Sequence, residues 1–201
     1  LENARLFDET QRLLKETEAR NAELAVINSI QQAVGAELDF QAIVDVVGDK
    51  LREVFATDDS NIHWRDEAND QVLPLYSYEH GVRLQHKPFR PKPESWWERF
   101  MRARRAEVFN PHAEPDAANV PVTPGTGRAR SIMAVPMLTG NRFLGAVIIE
   151  NHQRDAAFGP AEVRLLETVS ASMAVALQNA QSYEAERQRV LAAERAQREA
   201  E

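Results

Sequence analysis

From Ile132 to Leu138 every residue is apolar, and after Thr139-Gly140-Asn141 and Arg142 a second such run extends from Phe143 to Ile149. Two runs of strand length joined by a short Gly-containing link read as an antiparallel hairpin. In the first run Ile132, Ala134, Pro136 and Leu138 are expected on one face and Met133, Val135 and Met137 on the other. In the second, Phe143, Gly145, Val147 and Ile149 are expected opposite Leu144, Ala146 and Ile148. Both faces are apolar, so the hairpin must be covered on both sides, which makes it the expected centre of a sheet. The period then changes: Leu166, Val169, Met173, Ala176 and Ala180 recur every three or four positions, a helix with one buried stripe. Pro160 suits its first turn, and Glu162 lies near the positive end of its dipole.

Upstream, residues 1–34 form a long polar helix with a thin stripe of Leu6, Leu13, Leu24, Ile27 and Val34, and Gly35 marks its stop. So thin a stripe needs a partner helix. A second helix, from about Phe40 to Phe55, is capped by Asp39 and turns Ile43, Val46, Val47, Leu51 and Val54 inward. Asp58-Asp59-Ser60 breaks it, and strands follow at Asn61–Arg65, Val72–Glu79 and Val82–Gln85. Proline dominates from Lys87 to Pro93, a connector. Glu94–Arg104 reads as a helix carrying Trp96, Trp97, Phe100 and Met101, Val108-Phe109 as a small strand, and Asn110–Arg128 as an irregular loop.

Composition narrows the chemistry. The 201 residues hold no cysteine, which excludes disulfides, thiolate metal sites, thiol catalysis and a cofactor tethered through sulfur. A net charge of -7 weighs against nucleic acid as a partner. No run approaches the roughly 18 apolar residues of a membrane span, and no signal peptide opens the sequence, so a cytoplasmic location without membrane contact is expected. The five histidines show no metal-ligand spacing, and no Ser, His and Asp arrangement or close carboxylate pair marks a catalytic centre. Pro124-Gly-Thr-Gly-Arg128 lacks the ending of a phosphate-binding loop and reads as a lid or plain loop.

The ends resemble each other: Leu1-Glu-Asn-Ala4 with Phe7-Asp8, and Leu177-Gln-Asn-Ala180 with Tyr183-Glu184. The simplest account is that the first helix is the exit helix of a preceding copy of the same module.

Ser131-Ile-Met-Ala-Val-Pro136, Phe143-Leu-Gly-Ala-Val-Ile-Ile149, Phe158 with Glu162, and Leu165-Leu166 leading to Ala176-Leu-Gln-Asn-Ala180 together resemble a GAF domain, a sensory module of bacterial signalling proteins. The resemblance covers residues 22–182, with residues 1–21 and 183–201 as connecting helices. It implies an α+β fold: a six-stranded antiparallel sheet with helices packed on one face, a small-ligand pocket under loops on the other, and long terminal helices. It also implies a homodimer through those helices, neighbouring GAF copies, and an output domain such as a nucleotide cyclase or histidine kinase. Members that bind cyclic nucleotides carry Asn-Lys, a spacer, Phe, three residues and Asp-Glu. Here the matching residues are Asn151-His152, Phe158 and Glu162-Val163, so the family's Lys–Asp pair is missing, which weighs against a cyclic nucleotide. Without cysteine, neither a Cys-linked bilin nor the family's thiol reductase chemistry is available, and the ligand stays unspecified.

Under this resemblance the pocket candidates are Tyr76, Tyr78, Trp97, Phe109, Arg130 and Ser131. Trp96 and Trp97 either line a pocket wall or pack on the sheet. Tyr76 and Tyr78 share a strand face and either meet the same cavity or reach solvent. Arg130 suits an anionic ligand. The dimer seam is expected along Leu13, Leu24, Ile27, Met173, Tyr183 and Val190. Two roles stay open, a non-enzymatic ligand sensor and a ligand-free relay module.

Overall fold

The two apolar runs become neighbouring strands in the middle of one six-stranded antiparallel sheet. The computed structural model describes residues 2–35, 39–57, 59–111 and 127–200. Its strands are β1 (Asp59–Asp66), β2 (Gln71–Glu79), β3 (Val82–Arg83), β4 (Glu107–Phe109), β5 (Ser131–Thr139) and β6 (Arg142–Asn151). They lie in the order β3-β2-β1-β6-β5-β4. Helices α1 (Glu2–Gly35), α2 (Phe40–Val54) and α4 (Pro160–Ala200) bury one face, and the short α3 (Trp96–Ala103) packs on the other. The expected loop Asn110–Arg128 lies outside the described residues from 112 to 126, as does Asp58. No described helix is long and apolar enough to cross a membrane.

Each helix follows from local chemistry. Asp39 caps α2 by accepting from the Ala42 amide at 2.8 Å. Ile43, Val47 and Leu51 are buried as expected, joined by Val44, while Val46 and Val54 are only half-buried. Ser95 caps α3, and the residues flanking the cap and the last turn, Glu94 and Arg104, take left-handed φ of 59° and 51°, which confines the helix to eight residues. In α4 the Glu162 carboxylate reaches back to the Gly159 amide at 2.9 Å. Leu166, Val169, Met173, Leu177 and Ala180 are buried, and the described side chains beyond Ala180 are exposed. Among its described side chains α1 contributes a single fully buried residue, Ile30, with Val26 packed beside it. The Val34 side chain lies outside the described residues.

The hairpin departs from the simple alternation in one respect. Met137 pairs with Gly145 but Leu138 pairs with Phe143, so Leu144 is an extra residue in β6. This bulge turns Leu144 to the helix side with Val147 and Ile149, and Phe143 to the α3 side with Ala146 and Ile148, the reverse of strict alternation. Gly145 is what lets the strands close here: a methyl at that position would sit 2.6 Å from Met137 Cε and collide with the carbonyl of His63 on β1. The link between the strands is a two-residue turn, Gly140-Asn141, because Thr139 pairs with Arg142. A second irregularity falls between Ile62 and His63, where β1 meets β2. The strand expected at Val82–Gln85 keeps only Val82 and Arg83. The proline connector is tied to the β2 edge by reciprocal bonds between Val72 and Phe89 of 2.8 and 3.1 Å.

Candidate functional site

On β1, Ile62 and Trp64 face the helices, so Asn61, His63 and Arg65 face α3. On β2, Tyr76 and Tyr78 face the helices, so Ser77 and Glu79 face the α3 side. Register places Asn61 directly opposite Ser77. A polar row of Asn61, Ser77 and Glu79, each no more than 5% exposed, thus lies in the sheet floor. Beside it stands an aromatic wall. The His63 ring lies 4.9 Å from Trp97 and 6.3 Å from Phe89, Trp96 stacks on Phe100 at 4.9 Å, and Phe109 approaches Trp96 at 6.0 Å. Trp96 Nε1 donates to Glu107 at 3.0 Å.

Several enclosed polar atoms on this side have no hydrogen-bond partner among the described residues: His63 Nδ1, Ser77 Oγ and His86 Nε2. Burial, helped by the nearby His86, pushes the His63 pKa down to about 3, so the ring is neutral at ordinary pH. A neutral imidazole offers one donor and one acceptor. An orphaned buried polar atom costs about 1–3 kcal/mol, so a ligand that supplies the missing partners recovers that cost.

The six pocket residues expected from sequence fall in three places. Trp97 and Phe109 belong to the aromatic wall. Tyr76 and Tyr78 share a face, but it is the helix face. Tyr76 is 1% exposed and donates to Asp49 at 2.7 Å, and Arg52 covers the Tyr78 ring at 3.9 Å. They cannot line a cavity with Trp97, since the sheet lies between. Arg130 and Ser131 sit where β5 begins. Arg130 Nε donates to Asp155 at 3.1 Å, which occupies the charge an anion would need, and Ser131 Oγ bridges Asn110 at 3.1 Å and the Ala157 amide at 3.2 Å. Asn61, His63, Ser77, Glu79 and His86 escaped the sequence reading. Their signal was polar residues in strand positions alternating with Ile62, Trp64 and Tyr76.

Of the expected seam, Leu13, Leu24, Tyr183 and Val190 are exposed and Ile27 is half-buried. Met173 is a correction: it is fully buried beneath α4 against the sheet, so it serves the core and cannot reach a second protomer.

Where the cyclic-nucleotide motif would place lysine, His152 Nε2 lies 3.6 Å from Glu150 and 3.9 Å from Asp59, and its ring is 4.9 Å from that of His80. The neighbouring Glu150 carboxylate chiefly raises the His152 pKa, against an opposing burial effect. Among the described residues no group of three or more His, Asp or Glu is arranged to hold a metal ion.

A family model described as a GAF domain matches residues 37–178. Among solved structures, the chain is similar to the GAF domain of an Acinetobacter phosphoenolpyruvate-protein phosphotransferase, at 19% identity and a TM-score of 0.68, covering 81% of this chain and 96% of that one. The corresponding domain from Coxiella burnetii is 16% identical with a TM-score of 0.66, covering 83% and 98%. Free methionine-R-sulfoxide reductase from Neisseria meningitidis, in complex with its substrate, is 17% identical with a TM-score of 0.65, covering 80% and 91%. At these identities the likeness is one of fold. No curated protein matches the chain.

Proposed function

Since the chain belongs to the GAF domain family, we propose that it is a non-enzymatic sensory module that takes a small ligand on the α3 side of the sheet. Occupancy would be relayed through α1 and α4, in a dimer, to an output domain such as a nucleotide cyclase or histidine kinase. One observation carries this reading: the His63 ring lies against those of Trp97 and Phe89, and its Nδ1, like Ser77 Oγ on the same sheet face, is enclosed with no hydrogen-bond partner among the described residues. That combination suits a flat, largely apolar molecule with a hydrogen-bonding edge. The route outward is short. β1 and β6 lie side by side, α4 packs on β5 and β6, and α1 docks on α4 through Ile30 and the Gln31–Ser172 hydrogen bond of 3.1 Å. A ligand shifts this system only by preferring one helix arrangement over another. Thiol chemistry of the kind used by reductase members is unavailable because the sequence contains no cysteine.

The second reading, a relay without a ligand, is favoured by the neutralised Arg130, by the satisfied Ser131 and by the matching sequences of the two ends. Native mass spectrometry of the purified chain separates the two. Twice the chain mass plus a constant small increment supports the sensor. A bare dimer, together with no ligand-dependent change in Trp fluorescence across a metabolite panel, supports the relay. In the sensor, Trp97→Ala weakens the ligand and spares the dimer.

A further inference from the structure

At one end of the α3 side, away from the polar row, an open groove of about 700 Å³ runs between the last turn of α3, the β5–β6 turn and the end of β1. Four arginines line it, Arg65, Arg102, Arg104 and Arg142, against two carboxylates, Glu67 and Glu98. The lining therefore carries two excess positive charges (four minus two) in a chain whose net charge is -7. The carboxylates are already engaged. Glu67 accepts from Arg142 Nε at 3.1 Å and Nη2 at 2.9 Å, and Glu98 accepts from Arg102 at 3.2 Å. Arg104 instead donates to the amide oxygen of Asn141, which takes the hydrogen bond without cancelling the charge. Arg65 pairs with Asp70 through Nη2, while its Nη1 is enclosed with no hydrogen-bond partner among the described residues, and so is Thr139 Oγ1. Even with Asp70 counted, the balance stays positive.

We propose that this groove binds the phosphate group of a small phosphorylated molecule, held by Arg65 and Arg104 with Thr139, its organic part resting on Met101 and Phe143. Guanidinium forks match oxyanions in plane and spacing. A tetrahedral phosphate presents three oxygens and reaches several separate donors at once, whereas a carboxylate satisfies one fork. Its negative charge at neutral pH also complements the positive balance of the lining. The site is distinct from the polar row around His63. Phe143 and Phe100, whose rings meet at 6.0 Å, connect the two through the aromatic layer.

The test is calorimetric titration of the whole chain with glycerol 3-phosphate and inorganic phosphate at constant ionic strength, beside succinate and a hexaglutamate peptide. The expected result is saturable binding of both phosphates, weakened at least about tenfold by Arg104→Gln. Arg189→Gln, an exposed change on α4, should bind like the parent, and circular dichroism should show both variants folded. Non-saturable phosphate heats, an Arg104→Gln titration equal to the parent's, or succinate or the acidic peptide binding as tightly as phosphate would each overturn the proposal. Should Arg104→Gln unfold, Thr139→Val takes its place with the same expected loss and the same overturning result.

Discussion

Replacing Gly145 by alanine joins the fold to the site in one atom. The added methyl would lie 3.1 Å from the His63 carbonyl carbon, nearer still to its oxygen, and 2.6 Å from Met137 Cε. The Met137 methyl can swing aside, but a backbone carbonyl in the neighbouring strand cannot. β1 and β6 must therefore part at the position where β1 turns His63 toward Trp97. Overpacking of this kind costs about 3 kcal/mol at the upper end of its range, and the lower unfolded-chain entropy of alanine returns roughly 0.5–1 kcal/mol. The net loss is about 2 kcal/mol, which for a domain of this size lowers Tm by about 4–8 °C. Thermal unfolding followed by circular dichroism measures it, and the Trp96 and Trp97 fluorescence of the folded variant should shift as the His63 contact opens. An alanine variant as stable as the parent, or more stable, would refute the claim that β1 and β6 approach closely enough here to require glycine.

The two perturbed histidines act in opposite directions. His63, with its folded pKa near 3, takes up a proton between about pH 6.5 and 3 only when unfolded, so it costs up to about 1.4 kcal/mol of stability per pH unit as pH falls through that window. His63→Gln should lose less stability in urea between pH 7 and 4 than the parent, and parallel profiles would contradict the burial argument. His152, with a raised pKa, contributes stability that is full below about pH 6.5 and is lost as pH rises through its folded value. His152→Gln should accordingly reduce stability more at pH 5.5 than at pH 8.5. On the helices, Leu24→Glu should give a folded monomer by light scattering, because Leu24 is 53% exposed. Met173→Ala should instead cost about 2–5 kcal/mol of stability and leave association intact. A fully dimeric Leu24→Glu would move the seam elsewhere.

Most elements were legible because period and punctuation agreed: the doubly apolar hairpin, the Asp39 cap, and the change to helical spacing after Pro160. The bulge at Leu144 was not, since an extra residue in a continuous apolar run leaves no mark in the pattern, and it reversed the faces of Phe143 and Leu144. Tyr76 and Tyr78 were correctly placed on one face, but alternation alone does not say which face the helices cover. Met173 was read both as part of a buried stripe and as seam, and only packing decides between them. The polar row stayed hidden because Asn61, His63 and Ser77 look like ordinary solvent-facing strand positions until α3 and the connector enclose their side.

The length of α4 has a mechanical consequence. After Ala180, the last buried residue among the described side chains of the helix, it runs on as a single helix to Ala200, a projecting arm of about 30 Å at 1.5 Å per residue. A tilt of about 10° at the sheet swings the tip by about 5 Å, close to one helical pitch of 5.4 Å. Motion far too small to repack the tightly filled sheet face thus becomes, at the tip, a full step in how one helix meshes with another.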